Sequence, residues 1–443
     1  MGADQARHFG VLPFTGAGHL NPLIALALEL QGRGHRVTFF EKPKIETRMS
    51  EAGLELCAIG KREERFRRKE PASGGAGPWS DLSTLRFNLR RIAHDLDVYF
   101  RETEVAVRNE GVDSLIVNEI AVTGPTIAEL LGIPYFILST SIPHNFGWSP
   151  YRPFSGYRFR RSWVSYFERE LLEVSSVRMQ GPIKRKVNHY RCSRGLGPIK
   201  GVPTPYPPLA QITQLPECLD LPRRSFPEHF HYTGPFAQVG TRPNVEFPWE
   251  RLDGRPLIYA SLGTTRNAQA YILRMIAEAC VGIDAQLLIS LGGRFDRKMI
   301  EPLAGDPLVR EFVPQLEILK RASLVVTHAG PNTVFESLME GKPMVAIPMA
   351  HDQPAIAARL ARLGVAEVLP VMRMSRSVIR DAVEKTLTKS SYRNAALKMQ
   401  QKLRGLNGVE RAADIMELSL RCQTRRGCIG DPEGALDRLR TSA

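Results

Sequence analysis

The apolar positions of this chain come in short solid blocks separated by longer segments with helical spacing. His8–Phe14, His35–Glu41, Ser114–Asn118 and Pro134–Ser139 are such blocks in the first half. Leu257–Leu262, Gln286–Leu291, Leu324–Thr327 and Met344–Pro348 are their counterparts in the second. Blocks this short, without polar alternation, predict strands buried on both faces. Between them the spacing predicts helices over Pro22–Arg33, Asp81–Asn109, Thr123–Leu131, Thr333–Met339, Gln353–Leu363, Ser375–Thr388 and Asn407–Leu420, and one ending near Val281. Pro22 suits a first helical position and Gly34 a stop. The alternation predicts an α/β protein with parallel strands, and the same plan occurs in both halves.

At 443 residues the chain exceeds one ordinary core, so two domains are expected. The first spans residues 1–235 and carries an insertion of helices and loops over about 141–210. The Pro- and Gly-rich stretch 236–254 is the linker, residues 255–420 form the second domain, and 421–443 are a polar tail. Residues 60–80, polar and Gly-rich, read as a mobile loop.

The stretch from Phe312 to Gln353 carries the densest chemistry. A strand runs into His328-Ala329-Gly330-Pro331-Asn332-Thr333 and then a helix. That order presents free N–H groups and the positive end of a helix dipole, which is an anion site. Taken singly, Asn332 or Thr333 is a helix cap, and His328 a structural histidine. Their joint spacing points to a phosphate, with Glu336 one turn deeper to accept from sugar hydroxyls.

A second strand-to-helix turn, Thr15 to Pro22, holds His19. It lies at the C-terminal end of the first strand, where open α/β sheets bind ligands. An unperturbed imidazole is largely neutral at pH 7 and can take a proton from a hydroxyl. Gly16 and Gly18 lack the third glycine of a dinucleotide fingerprint, because position 21 is Asn. Asp95 and Asp97 fall inside a helical pattern, where they point to different faces, which disfavours a metal clamp.

The net charge is +14, and residues 151–200 alone hold twelve Lys/Arg against three acids. A solvated face and an anionic surface partner both fit this stretch. If a partner, a lipid bilayer is favoured over nucleic acid, since no nucleic-acid motif is present. Six scattered cysteines without a CxxC pair suit a reducing compartment. There is no long apolar run and no signal-peptide pattern, so the expected location is cytoplasmic, with peripheral membrane contact at most.

The Phe312–Gln353 stretch resembles the donor-binding signature of UDP-dependent glycosyltransferases of the inverting, two-Rossmann-domain (GT-B) type. The matching elements are Phe312-Val313-Pro314-Gln315, the His328-to-Thr333 run, Glu336, and Asp352-Gln353. Gly18-His19 with Asn21-Pro22 resembles the family's catalytic loop. The segments His229–Pro235, Pro208–Ile212 and Asp352–Pro354 resemble the bacterial carotenoid (zeaxanthin) glucosyltransferase subgroup and its macrolide-modifying relatives. Four departures stand out: Phe312 in place of Trp, Pro331 in place of a residue with an N–H, a gap from Gln315 to His328 two residues shorter than in plant members, and Glu119 where the family usually has Asp.

The resemblance implies GT-B architecture and His19 as general base, oriented by Glu119. It implies diphosphate contacts from His328, the turn N–H groups and Thr264. Phe312 would stack on the base, Glu336 and Gln315 would hold the ribose, and Asp352 and Gln353 the sugar hydroxyls. Gly18, Val313, Gly330, Asn332 and Thr333 complete the donor set. The implied partners are a UDP-sugar, with glucose favoured, and a lipophilic or phenolic acceptor such as a carotenoid or flavonoid, with no metal and no cofactor. A nucleotide-sugar epimerase of the same fold, a TDP-sugar-dependent natural-product glycosyltransferase and a non-catalytic binding module are the alternatives.

Overall fold

The computed structural model describes residues 6–61, 95–143, 181–199, 209–221, 227–237, 245–263, 269–292, 300 and 302–426. Thr264, residues 62–80 of the expected loop, residues 81–94 of the expected helix, residues 144–180 and 200–208 of the 141–210 insertion, the middle of the linker and the tail beyond 426 lie outside them.

The first sheet contains β1 (His8–Leu12), β2 (Arg36–Glu41), β3 (Glu55–Ala58), β4 (Ser114–Asn118), β5 (Tyr135–Ser139), β6 (Ala210–Thr213) and β7 (Phe230–Tyr232). Its seven strands are all parallel, in the order β3-β2-β1-β4-β5-β6-β7. Helices α1 (Ala17–Gly32), α2 (Glu46–Glu51), α3 (residues 95–109), α4 (Gly124–Leu131) and α5 (residues 181–193) surround it. β1 and β4 are buried at every position, as strands covered on both faces must be.

The second sheet contains β8 (Leu257–Ser261), β9 (Gln286–Ser290), β10 (Leu308–Arg310), β11 (Ala322–Thr327), β12 (Met344–Ala346) and β13 (Ala366–Val368). These six strands are also parallel, in the order β10-β9-β8-β11-β12-β13. Its helices are α6 (Gln269–Cys280), α7 (Gln315–Arg321), α8 (Pro331–Met339), α9 (Gln353–Leu363), α10 (Arg376–Thr388) and α11 (Ser390–Leu403). Both sheets reverse their strand order once, between β1 and β4 and between β8 and β11. Ligands of doubly wound sheets bind at the carboxyl ends of the strands beside such a reversal. His19 follows β1 and His328 follows β11, so both stand there.

The last helix, α12 (Gly408–Arg426), corrects the expected boundary. Val409, Ala412, Ala413, Met416 and Leu420 form one stripe that is buried among Leu23, Ile24, Leu30 and Phe39 of the first domain. Arg33 bridges to Asp414 at 2.6 Å and Glu417 at 3.3 Å, and His35 Nε2 stands 3.2 Å from Glu417. Residues 408–426 therefore complete the N-terminal core, and the chain crosses between domains twice. Helical spacing identifies such a stripe without saying which sheet it covers.

The domains also share apolar packing. Ile142, Leu215 and Leu219 from the first half are buried in one cluster with Phe335, Ile356 and Leu360. A buried ion pair joins Arg359 Nη2 of α9 to Asp220 Oδ1 at 2.9 Å. Asp95 and Asp97 lie on α3 and are paired with Lys42 and Lys186. Among the described residues no helix is long and apolar enough to cross a membrane.

Candidate active site

Helix α1 begins at Ala17, with Gly16 as its cap, rather than at Pro22. Pro22 therefore sits inside the helix, where it has no N–H for the carbonyl four residues back. That carbonyl belongs to Gly18, and it accepts instead from Asn332 Nδ2 of α8 at 3.1 Å. A donor from the second domain thus meets the helix defect created by a proline in the first.

His19 occupies the first turn of α1, half-buried, with Phe14 edge-on to its ring at 5.1 Å. Its Nδ1 lies 2.6 Å from Thr140 Oγ1. The place expected for the orienting acid is thus taken by a hydroxyl. Glu119 is buried at the end of β4, and its Oε1 accepts from Gln211 Nε2 on β6 at 3.2 Å. Asn118 Nδ2 reaches Thr140 Oγ1 at 3.4 Å, so β4 also supports the hydroxyl.

Across the cleft, β11 ends at Thr327 and Ala329 turns the backbone through a left-handed conformation, φ 64°. The His328 ring is wedged between two glycines. A Cβ on Gly330 would stand 2.4 Å from Nε2, and one on Gly263 2.7 Å from it. Glycine at both places is what leaves room for an imidazole beside the N-terminus of α8. Desolvation there pushes the His328 pKa down to about 4, against the opposing pull of the Ser261 backbone. His328 is therefore neutral at pH 7 and offers a phosphate an N–H dipole, not the formal charge that a diphosphate ligand suggests.

This shift has a consequence for stability. The imidazole has an ordinary value of 6.5 and a folded value of about 4, so between them the unfolded chain binds more protons. Stability must then fall as pH drops through that window, by about 3 kcal/mol in all. Urea unfolding from pH 7 to 4 should show a smaller acid loss for His328→Asn than for the wild type. An equal loss would remove His328 as its source.

Helix α8 carries Pro331 at its first position, which leaves the N–H groups of Asn332 and Thr333 for an anion. Asn332 needs a correction, however. Its amide spans the cleft, with Nδ2 donating to Gly18 O and Oδ1 accepting from Gln214 Nε2 at 3.0 Å, which leaves its backbone N–H and the second Nδ2 hydrogen for a phosphate. Gln315 and Glu336 do come together. Gln315 Nε2 donates to Glu336 Oε2 at 2.6 Å and Gln315 Oε1 accepts from Tyr259 at 2.9 Å. Phe312 is 49% exposed, an aromatic face open to a planar ligand, while Val313 packs on the core.

Asp352 caps α9 and follows His351, whose φ is 58°. Its Oδ2 accepts from Ser141 Oγ of the opposite domain. Gln353 Oε1 accepts from Met349 N at 2.8 Å and Ala350 N at 3.0 Å. The carbonyl half of that amide holds the loop, and the NH₂ half is what it can offer a sugar hydroxyl.

Thr140, Ser141 and Gln214 were not among the residues the sequence singled out. Their one signal is position: each follows a buried strand, β5 or β6, at its C-terminal end, where functional groups of such sheets collect.

Known proteins share this arrangement. The family model described as UDP-glucoronosyl and UDP-glucosyl transferase matches residues 222–421. The glycosyltransferase family 28 N-terminal domain matches residues 15–142. A zeaxanthin glucosyltransferase of Pantoea ananas is 29% identical over 96% of this chain and 97% of its own. A demethyllactenocin mycarosyltransferase of Streptomyces fradiae is 27% identical over 94% and 87%. The solved structure of the glycotransferase of kitacinnamycin shares the fold, with a TM-score of 0.72 and 22% identity over 94% of this chain and 99% of that one. With a family 28 domain matched ahead of a UDP-glycosyltransferase domain, and two parallel-sheet domains facing across a cleft, this chain has the fold of the GT-B glycosyltransferases.

Proposed function

We infer that this glycosyltransferase moves a hexose, glucose before others, from a UDP-sugar to a hydroxyl of a lipophilic or phenolic small molecule, with inversion at the anomeric carbon. One observation carries the reading. The turn that bears His19 is hydrogen-bonded to the N-terminal turn of α8, so a base and an anion-binding helix end share one cleft.

The route follows from those groups. With the proton on Nδ1 and donated to Thr140 Oγ1, the basic nitrogen of His19 is Nε2. It takes the acceptor proton as the acceptor oxygen bonds to the anomeric carbon. The bond from that carbon to the diphosphate oxygen breaks on the opposite face, and UDP leaves with its electron pair. The N–H groups of Asn332 and Thr333, the α8 dipole and neutral His328 meet the charge that develops there. This route calls on no metal ion. Phe312 stacks on the base, Gln315 and Glu336 hold the ribose, and Asp352 and Gln353 hold the sugar.

The relatives named for zeaxanthin and demethyllactenocin support a natural-product acceptor. Incubating the protein with UDP-glucose, UDP-galactose or TDP-glucose and carotenoid, flavonoid or macrolide alcohols, with mass spectrometry as readout, tests the reading. A hexose adduct formed from UDP-glucose is expected. Release of free sugar and UDP regardless of acceptor would favour an epimerase instead.

A further inference from the structure

Two polar side chains lie between the donor helix and the base without touching either substrate in the route above. Gln214 is buried just beyond β6. Its Nε2 donates to the Thr140 carbonyl and, at 3.0 Å, to Asn332 Oδ1. Its Oε1 accepts from Phe236 N, where the linker begins, at 3.4 Å. Thr140 in turn holds His19 Nδ1 through its hydroxyl, and Asn332 holds the carbonyl of Gly18, the residue before His19.

These bonds close a ring: His19, Thr140, Gln214, Asn332, Gly18 and back to His19. Four members come from three strand or helix ends of the first domain, and one, Asn332, comes from the second. A small cleft with room for about one water lies beside Asn21, Pro22, Gln214, Phe236 and Asn332. The ring also depends on a specific defect. An ordinary residue at position 22 would bring its own N–H to the Gly18 carbonyl, and Pro22 cannot.

Taking the donor site as read above, we propose that Asn332 and Gln214 are positioning residues that lock the base to the donor helix. The side chain of Asn332 is not a diphosphate ligand; it couples occupation of α8 to the placement of His19. Backbone N–H groups of Asn332 and Thr333 bind the diphosphate, and the amide on the same residue transmits that binding to both sides of the imidazole. Thr140 of the same domain holds His19 from behind, and the hold on Gly18 from the chain side exists only when the two domains meet. The consequence is a division of labour: the second domain binds donor by itself, and the first acquires an aligned base upon closure.

The test separates alignment from binding. UDP affinity is measured by calorimetry, and transfer kinetics with UDP-glucose, for Asn332→Ala, Gln214→Ala and the double variant. Each single change should lower kcat about tenfold to hundredfold, as misplacement of a catalytic group by about 1 Å does. UDP affinity should change less than about threefold, and the double variant should lose little more than either single one. Asn332→Asp, which sets a carboxylate against the Gly18 carbonyl without emptying any space, should lose kcat in the same way. A fall in UDP affinity of tenfold or more with kcat retained would make Asn332 a diphosphate ligand and overturn the proposal. So would independent, multiplying losses in the double variant. A second readout needs no turnover, so it stands even if the acceptor reading fails. Amide exchange over residues 16–22 should slow when UDP is added to the wild type and stay unchanged in Asn332→Ala; an equal response in both would refute the coupling.

Discussion

Replacing His19 with Ala should lower kcat for glycosyl transfer by about 10² to 10⁴, the range a positioned general base contributes. That corresponds to roughly 3 to 5 kcal/mol of barrier. UDP affinity should stay within a few-fold, because the expected nucleotide contacts from Phe312 to Gln353 lie on the second domain. Single-turnover transfer and UDP calorimetry on the same preparation make the comparison. Retained transfer would remove His19 from the mechanism. Parallel loss of UDP binding would mean that the turn supports the donor rather than the acceptor. The hydroxyl partner at Nδ1 sets this site apart from one with a carboxylate there: Thr140 fixes the ring without adding negative charge against the imidazolium that forms.

Asp220→Ala should destabilise the protein by about 3 to 5 kcal/mol, the cost of leaving a buried partner charge uncompensated. Both side chains of the Arg359–Asp220 pair are 2% exposed. Asp220 is also held by Tyr232 at 2.6 Å and by the Leu221 N–H at 2.8 Å, and Arg359 Nη1 donates to the Ala355 carbonyl at 3.0 Å. The pair joins the segment after β6 to α9, the helix that Asp352 and Gln353 begin. Its loss should therefore loosen the domain junction as well as lower the urea midpoint. Replacing both residues, as Asp220→Leu with Arg359→Met, should recover most of the loss, since an apolar pair leaves no stranded charge. A single variant that loses less than about 1 kcal/mol would show that water reaches the guanidinium.

The long-range plan was legible because parallel strands covered on both faces leave solid apolar blocks. β4 and α9 have the bounds that their patterns predict, and β8 and β11 differ by a residue or two. The short edge strands β3, β7, β10 and β13, three or four residues each, are too brief for any period to emerge. Helix α11 escaped notice since its outer positions are Arg, Asn, Lys and Gln and only Ala396, Met399 and Leu403 are buried.

At the site, the sequence located the turns but not the directions of the side chains. His328 follows β11 as the spacing has it, and α8 begins at Pro331, two residues before the expected Thr333. The amide of Asn332 is directed by a carbonyl and a glutamine that lie 314 and 118 residues away, and no local pattern carries such information. Pro22 gave the one hint. Its chemistry requires a missing bond somewhere, and only the folded chain shows which group answers it.

The most direct test of the account is the anomeric configuration of the product made from UDP-α-glucose and an accepted alcohol, read by proton NMR. Attack by an acceptor oxygen that His19 deprotonates, on the face opposite a diphosphate held at α8, predicts a β-glucoside. An α-glucoside would contradict a single displacement across this cleft, and with it the role assigned to His19.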